Sequence, residues 1–381
     1  MAANSPPAFQ IRIEMTDFEP ASITVRLGAI AENYRSFRRM AGAAATAAVV
    51  KADGYGLGAR MVAPALAGAG AQTFFVARLE EGIALRPLLP GARIFVLDGA
   101  SPDAVPGFLS HRLTPVLNSL AEIAAWSAAA KVAHGALDAA IHIDTGMNRL
   151  GLPNGELATL AAEGKTRLAG INLVLLMSHL ACADDLGAEA AMNRRQLERF
   201  RIALAMLPPA PASLAASSGI YLGKDYHFDL VRPGIGLYGA GPKGRENSMK
   251  TVVLLTARVL QLRRIDKGES VGYAATFHAK RPTMIATVAL GYADGFLRAA
   301  SNRGAAVIGG VRVPLVGRVS MDLITLDVTD LKICPRPGDE AEFMGDDITL
   351  AEVAEAAGTS EYEILTRLSS RAPRRYTDAA A

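Results

Sequence analysis

Apolar residues in this chain fall into two textures. From about residue 29 to residue 231, short runs rich in β-branched and aromatic residues alternate with longer Ala/Leu-rich stretches spaced as amphipathic helices. That is the pattern of βα units around a parallel sheet. The spacing predicts strands at 46–51, 73–76, 93–97, 113–116, 139–143, 170–177, 211–216 and 228–231, and helices at 29–42, 58–69, 79–86, 119–131 and 188–206. Eight such strands in about 220 residues match the size of a (β/α)8 TIM-type barrel. A doubly wound sheet is the rival, and Gly54-x-Gly56-x-Gly58 invites it. The spacing departs from G-x-G-x-x-G, however, and no convincing acidic ribose ligand follows at the expected distance.

After residue 243 the texture changes to alternating β patterns at 252–262, 283–290, 305–311, 323–328 and 340–343, punctuated by Gly and Pro, with late helices at 350–357 and 364–368. The segment GPKGRENSMK reads as the linker. The predicted class is therefore α/β, a (β/α)8 TIM-type barrel over 21–243 followed by a mainly β C-terminal domain over 244–381. A length of 381 residues allows about two cores of this kind.

Composition narrows the function. Half the residues are apolar, and the formal charge of +3 is spread without a basic block, so neither nucleic acid nor another polyanion is an expected partner. Cys182 and Cys334 stand far apart in no metal-ligand spacing, which fits a reduced compartment and two packing residues. No metal site is expected. The start of the chain lacks a basic segment followed by an apolar one, and no apolar run approaches the roughly 20 residues of a membrane span. The expectation is a cytoplasmic protein that acts on small charged ligands.

One stretch carries candidate chemistry. Ala48-Val49-Val50 delivers Lys51 into the glycine-rich turn Ala52-Asp53-Gly54-Tyr55-Gly56. An amine at the end of an apolar strand is poorly hydrated, which lowers its pKa and makes it a better nucleophile or base. Taken alone, the same lysine could simply cap a strand. Together with HIDTGMNRLG, VRPGIGLYG, SVGYAATF, GYADG and GRVSMD, the stretch resembles the alanine racemases over nearly the whole chain, from about Ile23 to Tyr376.

The resemblance implies pyridoxal 5′-phosphate (PLP) held covalently on Lys51, and a two-base inversion of an amino-acid α-carbon in which Tyr273 serves the face opposite Lys51. It implies Arg149, Met321 and Tyr292 as substrate-binding residues, and Tyr55, His179, Ser218, Arg232, Gly234, Ile235 and Tyr362 around the cofactor. Lys51, Arg149, His179, Ser217, Ser218 and Arg232 then all fall at or just after the C-terminal ends of predicted strands, the face where barrels place their sites. His179 and Arg232 are the expected cations that would favour an anionic Tyr273. Arg232 can donate a hydrogen bond but not its proton, which makes the cofactor ring a weaker electron sink and disfavours transamination. Tyr273, Met321 and Tyr292 would come from the β domain of a second copy, giving a homodimer with shared sites, and residues 1–20 would add a strand to that domain.

Two enzyme alternatives share the motifs: a serine or broad-specificity racemase, and a decarboxylase of the same architecture, against which Tyr273 argues. A PLP carrier without catalysis would not need the long β segment. The chain departs from the family pattern at His142, where many relatives carry a lysine, often carbamylated, that orients the arginine. A neutral His142 offers one acceptor nitrogen in its place.

Overall fold

The computed structural model describes residues 19–184, 190–242 and 246–378. Seven short strands, Ala48–Val49, Thr73–Val76, Arg93–Val96, Thr114–Leu117, Leu137–His142, Ile171–Met177 and Ala212–Ser213, pair in parallel and in chain order. An eighth, Leu230–Val231, pairs in parallel with Ala45–Thr46. Its neighbours Asp229 and Arg232 donate their N–H groups to the carbonyls of Ala212 and Ala215, at 3.0 and 2.9 Å, which closes the barrel. Phe74, Phe75, Phe95 and Val76 are buried, and the rings of Phe75 and Phe95 stack 4.7 Å apart. Continuous apolar runs of this kind suit strands covered on both faces.

The helices at Leu27–Ala41, Ala59–Gly68, Leu79–Leu85, Leu120–Val132 and Ala190–Met206 follow the predicted stripes within a few residues, and the first two residues of the predicted 188–206 helix lie outside the described ones. Asn154–Arg167 is a helix that the pattern does not announce. It buries only Leu157 and Leu160, so its apolar stripe is too thin to read.

The second sheet is built around Val253–Ile265, which pairs with Ala21–Arg26, Thr283–Val288 and Glu340–Met344. Irregular register at Val259/Gln261 and at Leu255/Thr256 lets this one long strand serve several neighbours. Residues 21–26, which the pattern assigns to the barrel, belong here instead. Their alternating burial fits a sheet with one covered face, and they also pair in parallel with Arg374–Thr377. Residues 1–18, most of the segment expected to supply a strand, lie outside the described residues. The single strand expected at 305–311 is a hairpin, Ala305–Ile308 and Val311–Pro314. Gly309 and Gly310 turn it with φ of 56° and 77°, the positive values a two-residue hairpin loop requires.

Candidate active site

Lys51 does not end a strand, as expected from the apolar run. The strand stops at Val49, and Lys51 opens a one-turn segment, Lys51–Tyr55. Ala52, Asp53, Gly54 and Tyr55 then take φ of 52°, 54°, 63° and 57° in succession. Left-handed backbone costs about 1–2 kcal/mol for each residue other than glycine, so the turn must be held from outside. Asp53 Oδ1 accepts from Ala59 N–H at 2.8 Å, and Glu81 Oε1 accepts from Ala52 N–H at 2.6 Å. From the other side, Arg374 Nε and Nη2 donate to the carbonyl of Gly56 at 3.0 and 2.8 Å. A side chain at Gly56 would begin 2.6 Å from the carbonyl oxygen of Leu365, so the C-terminal segment lies directly on this turn.

The turn aims Lys51 into a cavity of about 370 Å³ at the C-terminal mouth of the barrel. Burial holds the amine below its ordinary pKa, and the positive charge of Arg149 pushes the same way, while Asp98 and Glu81 oppose. Tyr55, His142, Arg149, His179, Ser218, Arg232, Gly234, Ile235 and Tyr362 line the same space.

Arg232 is 4% exposed. Its Nη2 donates to the carbonyls of Ser178 and Leu214 at 2.7 and 3.4 Å, its Nη1 donates to Ser213 Oγ, and its guanidinium carbon sits 5.9 Å from the Phe75 ring centre. Burial lowers its pKa to about 10, which leaves it charged at neutral pH. Among the described residues no carboxylate forms an ion pair with Arg232, Arg149 or Lys51. A buried charge of this kind calls for a partner, so the cavity is built for an anion.

The two histidines stay neutral. Burial first, then Arg232, lowers His179 to about 3 and His142 to about 4. His179 therefore cannot be one of the cations expected to favour an anionic Tyr273. His142 Nδ1 lies 2.9 Å from Asn118 Oδ1, and the Asn118 amide nitrogen donates to the carbonyls of Leu97 and Val116 at 3.1 and 2.9 Å. Both amide protons are thus used, Oδ1 can only accept, and the His142 proton sits on Nδ1. Nε2 is the remaining acceptor. Asp144 Oδ1 is engaged by the N–H groups of Gly146 and Asn148, at 2.9 and 3.1 Å, within the loop that carries Arg149.

Two loops form the far wall. Ser217 Oγ accepts from the N–H groups of Gly234 and Gly236 at 2.8 and 3.1 Å, tying the turn after the seventh strand to the turn after the eighth. Gly234 passes so close to Tyr55 that an added Cβ would lie 2.2 Å from the phenol oxygen. Tyr55 packs against Tyr238 at a tilt of 33° with ring centres 4.6 Å apart, and burial keeps its phenol protonated well beyond neutral pH. Ser218 Oγ donates to Asp184 Oδ1 at 2.6 Å. The amides of Ser218 and Gly219 open the short helix Ser217–Ile220, where no earlier turn supplies them with intrahelical acceptors. Sequence reasoning missed Asp98 and Asp184, both lining the cavity. Asp98 lies two residues beyond the end of strand Arg93–Val96, and the rule that barrel sites sit at strand ends could have found it.

Tyr273, Tyr292 and Met321 do not line this cavity. They project from the β domain with exposures of 70%, 43% and 53%. Tyr292 and Met321 rise from two loops locked backbone to backbone, through Tyr292 N–H to the Ser320 carbonyl and Ala293 N–H to the Met321 carbonyl, both 3.0 Å. Arg371 pins those loops through Asp294 at 3.1 Å and Asp322 at 2.5 Å.

Fold and cavity together define a class: a barrel that presents a poorly hydrated lysine and uncompensated arginines to an anionic ligand, with a β domain attached. Sequence models of the alanine racemase N-terminal and C-terminal domains match residues 25–242 and 252–376. The alanine racemase of Rhodospirillum rubrum is 49% identical over 364 residues, 94% of this chain and 96% of that protein. A catabolic alanine racemase of Agrobacterium fabrum is 48% identical, over 93% of this chain and 91% of that one. Among solved structures, alanine racemase from Bartonella henselae with covalently bound pyridoxal phosphate superposes with a TM-score of 0.90 at 40% identity, covering 94% of this chain and 99% of that one. The biosynthetic alanine racemase of Pseudomonas aeruginosa gives 0.88 at 38% identity, over 94% of this chain and 100% of that one. The chain belongs to the alanine racemase family.

Proposed function

We propose that the cavity at the barrel mouth is a racemase active site in which Lys51 and Tyr273 move protons on opposite faces of an amino-acid α-carbon. The protein is an isomerase that interconverts L-alanine and D-alanine with pyridoxal 5′-phosphate. The observation that carries the assignment of the site is the cluster of Lys51, Arg149 and Arg232 around one cavity with no ion-paired carboxylate among the described residues. It suits a phosphorylated aldehyde that bonds to an amine. When bound, that cofactor supplies the electron sink that makes the substrate Cα–H acidic.

Lys51 would hold the cofactor. Its lowered pKa keeps more of the amine unprotonated, and once free beside Cα it can take or return a proton. Arg232, which lines the cavity, would serve the cofactor as a fixed donor, since a guanidinium with a pKa near 10 keeps its proton at neutral pH. Hydroxyl and amide groups of Tyr55, Ser218, Gly234, Ile235 and Tyr362 suit the phosphate, with Ser217 bracing the two loops. His179 packs as a neutral wall, and Arg149 takes the substrate carboxylate.

Tyr273, Tyr292 and Met321 supply what a single chain leaves open. Their exposure on the β domain supports a head-to-tail homodimer in which each lends these groups to the other's barrel, Tyr292 narrowing the entrance. We place the reaction in the cytoplasm, with D-alanine as a peptidoglycan precursor. No helix among the described residues is long and apolar enough to cross a membrane. The test is circular dichroism of L- and D-alanine incubated separately with the protein and PLP. Both signals should decay to zero, and persistence of either would overturn the reading. L-serine run in parallel measures the breadth of the site.

A further inference from the structure

Glu81 does not line the cavity, yet its side chain joins the Lys51 turn to the next strand-to-helix loop. Its Oε2 accepts from the N–H groups of Ala77 and Arg78, at 2.8 and 3.1 Å, and so caps the helix Leu79–Leu85. That role needs one oxygen. The other, Oε1, reaches the N–H of Ala52 at 2.6 Å, the residue directly after Lys51 and the first of the left-handed turn.

We propose that Glu81 is the positioning residue of Lys51: its carboxylate clamps the Ala52 amide, holds the strained turn against the second loop, and so keeps the Lys51 amine aimed into the cavity. Released, Ala52 can relax from φ 52° to the negative values that alanine prefers. The peptide between residues 51 and 52 would rotate, carrying the lysine stem with it. The proposal rests on Lys51 as the residue that holds the cofactor.

Glu81→Gln separates the two roles, because its single carbonyl oxygen can still cap the helix while its amide offers Ala52 only donors. Glu81→Asp keeps the charge but is too short to span both loops. In both variants the rate at which cofactor-free protein captures PLP, fixed with borohydride, should fall roughly tenfold or more, as expected for an ångström-scale misplacement. In the holoenzymes kcat should fall by about the same factor, with KM for alanine within about twofold. Amide exchange should quicken in the peptide covering residues 50–57 and stay unchanged in that covering 79–86. Wild-type capture in Glu81→Gln would overturn the proposal, and so would a wild-type Glu81→Asp beside a defective Glu81→Gln, since charge and not reach would then be the cause. The borohydride label in the wild-type protein locates the cofactor: on Lys51, the capture rates judge Glu81; on another lysine, the Lys51 reading fails first and takes the proposal with it.

Discussion

Asn118 Oδ1 accepts a hydrogen bond from His142 Nδ1 at 2.9 Å, and that contact decides which nitrogen of the imidazole carries the proton while Arg232 and Arg149 act on the ring's charge. A neutral ring with its acceptor nitrogen free stabilises cations beside it, whereas a protonated ring would repel them. Asn118→Asp puts a carboxylate against Nδ1–H and raises the pKa of His142 from its position near 4. The acid limb of kcat/KM for alanine should therefore move to higher pH, and an unmoved limb would show that the ring's charge does not matter to the site.

His142 and His179 also link stability to pH. Unfolded, each titrates near 6.5, and folded, they titrate near 4 and near 3. Between those values the unfolded chain binds the extra protons, so the stability is complete above about 6.5 and is lost as pH falls. The loss approaches about 1.4 kcal/mol per pH unit for each histidine. Thermal unfolding of cofactor-free protein between pH 7 and pH 4.5 should show a falling Tm, with a shallower fall in His179→Gln. A flat Tm in the wild type would contradict the burial of both rings.

Lys51→Ala should leave no lysine to which borohydride can fix PLP, and racemisation should cease. Peptide mapping that finds the label on another lysine would displace Lys51 from its role.

Division of the two bases between chains has its own signature. Tyr273→Phe should still exchange the α-hydrogen of D-alanine for deuterium while failing with L-alanine. Inactive Lys51→Ala and Tyr273→Phe proteins, mixed and allowed to exchange subunits, should recover part of the activity. Proven exchange without recovery would place both bases in one chain.

Gly234→Ala drives a methyl group to 2.2 Å from the Tyr55 phenol oxygen. Overpacking of this kind costs about 1–3 kcal/mol. PLP affinity and Tm should both drop, and adding Tyr55→Phe, which removes that oxygen, should restore part of each. Failure of the double variant to recover would mean that the backbone of the 234–236 turn, and not the phenol, is the obstacle.

Run length and alternation in the sequence by themselves determined a parallel barrel followed by a β domain. Burial repeats along a strand or helix with a local period, so a continuous apolar run such as Thr73–Val76 declares itself without its neighbours. Local motifs determined that Lys51, Arg149, His179, Ser218 and Arg232 belong to one face, because every strand of a barrel ends at the same rim. Tertiary structure alone decided that Ala21–Arg26 joins the β domain, since the partners on its two sides, Val253–Ile265 and Arg374–Thr377, lie more than two hundred positions away. It also decided the charge states. His179 looks like a cation on paper, and only burial beside Arg232 makes it neutral. The grip of Glu81 on Ala52, of Ser217 on Gly234 and of Asn118 on His142 joins residues 29, 17 and 24 positions apart. Such contacts depend on where the strands bring the loops, a distance that no local pattern of side chains records.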